Sequence, residues 1–95
     1  MEALAIFRSP DAEDWERDYA ALMIGSLDEA LPDLVAMAQD ATASEMLQQR
    51  AAEALSFAWR DRGILWTADI SGFTPAARQE MLFRRGEKPQ VRGSF

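Results

Sequence analysis

Asp11, Asp14 and Asp18 are the first residues of the chain whose types and spacing could do chemistry. Three carboxylates at helical spacing form an oxygen-donor set of the kind that holds a hard cation. The spacing matches no calcium loop, and Arg17 stands beside the group. Acidic residues also gather at helix starts because they complement the exposed amide donors there, and a solvated helix start is the expected reading. Asp61 and Asp69 are a second pair of carboxylates, which acting alone would be limited to general acid–base work. The chain has no histidine and no cysteine. That removes the usual base near neutral pH, the usual zinc ligands, the Cys–His nucleophile and any disulfide framework. Neither a G-x-S-x-G nucleophile turn nor a glycine-rich phosphate loop is present. The expectation is a protein that is not an enzyme and uses no cofactor or metal.

Charge points instead to recognition. The net charge is −6, and it is unevenly spread: residues 1–62 carry 5 basic and 13 acidic side chains, residues 63–95 carry 5 and 3. An acidic body repels nucleic acid and anionic lipid and favours a basic partner. Glu13, Glu16, Asp18, Gln49 and Glu53 group as one acidic surface on two neighbouring helices, a candidate docking face for a basic protein. Three tryptophans are many for a chain of 95 residues. Trp15 and Trp59 are expected in the core, and Trp66, outside the helical pattern, is the one expected to face a partner. Arg84, Arg85, Lys88 and Arg92 lie in a polar run rich in Gly and Pro, without interleaved aromatics, which is a weak footprint for phosphates.

The elements that must position these residues begin with a helix over 43–61. Leu47, Ala51, Ala54, Leu55 and Ala58 form one stripe, with Glu45, Gln48, Gln49, Glu53 and Arg60 off it. Thr42 and Glu45 have capping-box spacing, and Gly63 stands where a left-handed residue ends a helix. Ahead of it, Ser9-Pro10 opens a helix running to Ile24, with Trp15, Tyr19, Leu22 and Met23 as its buried stripe. Asp28 caps a third helix ending near Gln39 or Asp40, with Pro32 in its first turn and Leu31, Leu34, Val35 and Ala38 inward. Residues 1–8 form a short apolar segment. Ile64, Trp66, Ala68 and Ile70 alternate with Leu65, Thr67, Asp69 and Ser71, predicting an extended strand-like segment near residues 64–70. Thr74-Pro75 opens a last short helix to Phe83.

A weak internal repeat runs through this plan. An offset of 33 residues lays Arg17 on Arg50, Ala21 on Ala54 and Leu22 on Leu55, and the first residues on the end of the third helix. The run from Arg17 to Asp40, R-D-Y-A-A-L-M-I-G-S-L-D-E-A-L-P-D-L-V-A-M-A-Q-D, followed by Q-R-A-A-E-A-L, resembles a HEAT-type helical repeat over roughly residues 14–60. The resemblance implies stacked helices that bind protein and carries no catalytic residues. Fewer than two repeats are present where solenoids use about three, which favours a compact helical bundle or stacking on another chain.

The expected architecture is therefore all-α: a short HEAT-like helical array or compact bundle, residues 1–83, followed by a flexible basic tail, residues 84–95. The expected function is non-enzymatic protein binding through Glu13, Glu16, Asp18, Gln49, Glu53 and Trp66. An immunity-type inhibitor that masks a basic partner protein is one home for such a module. A self-associating subunit of a homo-oligomer is the alternative. No apolar run approaches a membrane span and no basic, apolar leader opens the chain, so a cytoplasmic protein without nucleic-acid or membrane partners is expected.

Overall fold

The computed structural model describes residues 2–86. Among them are five α-helices and no strand: α1 (Ala3–Arg8), α2 (Asp14–Ile24), α3 (Leu31–Ala38), α4 (Glu45–Asp61) and α5 (Pro75–Arg84). A single turn of 3-10 helix, Asp28–Ala30, leads into α3. The protein is thus a small all-α domain.

Helix α4 is its axis, packed against α2, α3 and α5. Leu47, Ala51, Ala54, Leu55 and Ala58 are buried as their spacing requires, but so are Gln48, Ala52, Ser56 and Trp59. A helix with neighbours on three sides buries far more than one stripe. Ser44, not Thr42, caps it: the Ser44 hydroxyl accepts from the Leu47 amide at 3.2 Å. Thr42 is drawn away because its amide and hydroxyl both donate to Asp40 Oδ1, at 2.9 and 2.6 Å, closing a side-chain turn two residues earlier. Those hydrogen bonds, the hydroxyl's first, hold the Asp40 carboxyl below its ordinary pKa.

The other end of α4 closes as anticipated. Gly63 is left-handed, φ 76°, and its amide donates to Arg60 O while that of Ile64 donates to Trp59 O, the paired bonds of a Schellman stop. A Cβ at Gly63 would meet nothing within 4 Å, so the position is constrained by φ alone. Gly63→Ala is expected to cost about 1 kcal/mol, or roughly 4–8 °C in thermal midpoint. Gly25→Ala is the control, since Gly25 has right-handed φ and an added Cβ would lie in ordinary contact, 3.5 Å from Ala54 O. An equal loss at both sites in thermal denaturation would contradict this account.

Helix α2 departs most from expectation. It starts at Asp14, not at Pro10, because the Ala12 amide donates to Ser9 O in a turn that separates it from α1. Glu13 and Glu16 then form the reciprocal capping box, with the Glu13 amide donating to Glu16 Oε1 at 2.9 Å. The stripe of Trp15, Tyr19, Leu22 and Met23 is exposed, and Ala20, Ala21 and Ile24 face the core in its place. The helix has two apolar faces, and the one with small residues can approach α4, where Gly25 meets Ala54. Trp15 and Tyr19 are too large for that seam.

The remaining elements frame α4. In α3, Leu34, Met37 and Ala38 are buried and Leu31 and Val35 half-buried, with Pro32 in the first turn. Residues 64–70 are not a strand. The amides of Thr67 and Ala68 both donate back to Ile64 O, making a turn in which Leu65 is buried, Ala68 and Ile70 are half-buried, and Ile64 and Trp66 are exposed. The inward residues follow the turn's spacing, not an alternation. Phe73 then stacks on Trp59 with ring centroids 6.1 Å apart. Thr74 caps α5, which extends through Arg84, with Arg85 as its C-cap. The folded domain thus reaches past the expected boundary at Phe83, and the rest of the expected tail, with Lys88 and Arg92, lies outside the described residues.

Candidate protein-binding face

Most of the acids expected to form a docking surface are used within the fold. Arg50 on α4 is chelated by Asp18 on α2, at 2.8 and 3.2 Å to its two carboxylate oxygens, and also donates to Glu53 at 3.0 Å. Glu53 in turn pairs with Arg84 of α5 at 3.1 Å, and Arg84 with Glu80 at 2.7 Å. The Asp18 hydrogen bonds hold the Arg50 guanidinium more firmly protonated than usual. Five charges thus tie α2, α4 and α5 together, and Asp18 and Glu53 are neutralised inside that network. Gln49 lies beside it, in a shallow crevice with Met46, Glu80 and Arg84. Asp18, Gln49 and Glu53 are therefore brought together around Arg50.

Glu13 and Glu16 lie apart, at the start of α2, where they cap the helix. Among the described residues neither they nor Asp11 and Asp14 pair with a basic side chain. Asp11, Asp14 and Asp18 do not converge on a common point: Asp18 turns to Arg50, and no group of three or more metal-ligating side chains exists among the described residues. Arg17 is also committed, its Nε donating to Phe7 O at 3.0 Å.

Trp66 is exposed, as its place outside the helical pattern suggested. Its indole N–H donates to Arg85 O, while the Arg85 guanidinium donates to Leu65 O and Ala68 O at 2.9 and 2.7 Å. The indole thus helps fasten the 64–70 turn to the end of α5. Of the three tryptophans only Trp59 is a core residue; Trp15, expected there, is 68% exposed.

The feature that sequence reasoning misplaced is the outer face of α2. Trp15, Tyr19, Leu22 and Met23 succeed one another at four, three and one residues, forming a continuous apolar ridge about 12 Å long. Tyr19 is 68% exposed, and Asp14 and Glu16, which have no basic partner among the described residues, stand in the first turn of the same helix. Leu22 continues it into a crevice with Gly25, Ala54 and Phe57. The arrangement offers aromatic area beside negative charge. The signal was present in the sequence as an excess of apolar residues on both faces of one short helix.

Comparison of the chain with known protein families, with curated proteins and with solved structures gives no match. Among the described residues no helix is long and apolar enough to cross a membrane.

Proposed function

We propose that the protein is a non-enzymatic binding module that masks a basic protein, in the manner of a toxin-neutralising immunity protein. The observation that carries this reading is the exposed Trp15–Tyr19–Leu22–Met23 ridge beside acids that have no basic partner among the described residues. Large aromatic side chains hold most of the binding energy in interfaces, and peripheral charges select the partner and speed its approach. In this reading Glu13 and Glu16 belong to the acidic border, while Asp18 holds α2 to α4 and Glu53 holds α5 to α4. The side-by-side course of α2 and α4, with Asp18 against Arg50 and Gly25 against Ala54, supports the HEAT-like resemblance.

A symmetric dimer through the same ridge would bring acidic borders of like sign together. Light scattering at micromolar concentration separates the two readings, and a monomeric mass is expected.

The direct test is capture of partners from the source cell with tagged wild type and with the double variant Trp15→Ala, Tyr19→Ala. Wild type is expected to retain a basic protein near one to one, released as salt rises. Truncating two such anchors weakens binding by on the order of 30-fold or more. Because both side chains are exposed, the stability of the variant should stay within about 0.5 kcal/mol of wild type. Equal capture by both proteins would overturn the reading.

A further inference from the structure

The internal register identifies what kind of surface the α2 ridge matches. Thirty-three residues beyond Trp15, Tyr19, Leu22 and Met23 stand Gln48, Ala52, Leu55 and Ser56 of α4. The first four are exposed and the second four buried. A helix lies along that side of α4: α5 begins with the Thr74 hydroxyl donating to Gln48 and ends with Arg84 paired to Glu53 and set over the Phe57 ring. Its apolar side contributes Ala77 and Met81, both fully buried. The same molecule therefore shows what covers this face on one of two equivalent helices, and leaves it uncovered on the other.

We infer that the occupant of the α2 ridge is a basic amphipathic helix of the partner protein, lying on α2 as α5 lies on α4. This rests on the binding role proposed above and specifies its ligand. Apolar residues at i, i+3 or i+4 and i+7 of a helix span the same 12 Å or so as the ridge, so two or three anchors can follow Trp15, Tyr19 and Leu22 in step. The sign of the flanking charge follows from the acids. Asp11, Asp14 and Glu16 have no basic partner among the described residues, in contrast to Glu53, which α5 supplies with Arg84. Lysine or arginine beside the partner's apolar stripe would complete on α2 the pairing that Arg84 completes on α4. A second copy of this chain does not meet the requirement, because the border it would bring is acidic.

The test places a photo-crosslinking phenylalanine analogue at Tyr19 of the full chain in the source cell, and sequences the partner peptide that becomes attached. A segment with apolar residues at helical spacing and flanking Lys or Arg is expected. Its synthetic peptide should bind the protein one to one, gain helical circular dichroism on binding, and lose at least tenfold in affinity to Tyr19→Lys. Attachment of an extended or acidic segment, or of this chain's own residues, would overturn the inference while leaving a binding role at α2 in place. Failure to attach any protein at Tyr19, with the same analogue at Trp66 as a comparison, would overturn the binding role itself and this inference with it.

Discussion

Leu55→Ala is expected to lower the free energy of unfolding by about 3–4 kcal/mol, the cost of removing a buried leucine whose surroundings relax only in part. Leu55 is fully buried midway along α4. Neighbours on three sides of that helix leave little freedom to close the resulting space. For a domain of this size the loss corresponds to a fall of roughly 12–30 °C in thermal midpoint. Leu22→Ala provides the internal control, since it stands 33 residues before Leu55 but is 42% exposed. Its cost should be about 1 kcal/mol or less. Chemical denaturation of the two variants checks the claim that α2 and α4 have different surroundings. Losses of the same size would mean that α2 is covered in solution.

Part of the local punctuation of the fold was legible in the sequence, although Ser44, Glu13 and Ala30 cap the helices that Thr42, Ser9 and Asp28 were expected to open. Gly63 stops α4, Pro32 stands in the first turn of α3, and Thr74-Pro75 opens α5, each because a single residue's backbone chemistry admits few alternatives. The choice of inward face was less legible. Periodicity ranks faces by apolarity and so selected Trp15 and Tyr19 on α2, whereas packing also requires a close approach, which favoured Ala20, Ala21 and Ile24. Gln48 was read as outward because it is polar. It is buried because α5 comes down on that side, and no local pattern announces the approach of an element 26 residues away. The strand-like alternation of residues 64–70 failed for a related reason. Leu65 is pulled inward by a turn on Ile64 O, and that turn depends on the Schellman stop just before it.

The misplaced residues explain why the candidate surface moved. Charge alone gathered Asp18 and Glu53 with Glu13 and Glu16, but a carboxylate within reach of two helices is as readily used to join them as to attract a partner. Asp18 and Glu53 are used in that way, around Arg50 and Arg84, and the acids at the start of α2 have no such pairing among the described residues. The candidate face is consequently a combination no single pattern shows: an apolar ridge released from the core by smaller neighbours, and charges left over after internal pairing.

Gln48 and Thr74 should prove energetically coupled, because they form the one buried polar chain connecting three elements among the described residues. The Ala77 amide donates to the Thr74 hydroxyl at 3.2 Å, which donates to Gln48 Oε1 at 2.8 Å. Gln48 Nε2 then donates to Asp40 O and Ala43 O, both at 2.9 Å, in the connection between α3 and α4. Both side chains are buried. Gln48→Ala leaves the Thr74 hydroxyl and two backbone carbonyls short of partners, at a cost of about 2–3 kcal/mol. Thr74→Ala removes the helix cap together with the same contact and should cost about 1–2 kcal/mol. Once either partner is gone, loss of the other no longer breaks their mutual bond, so the double variant is expected to fall short of the summed single losses by about 1 kcal/mol. Equilibrium denaturation of the four proteins measures that difference. Additivity within about 0.3 kcal/mol would show instead that the Thr74–Gln48 bond does not help to hold α5, leaving that to Ala77, Met81 and the Arg84–Glu53 pair.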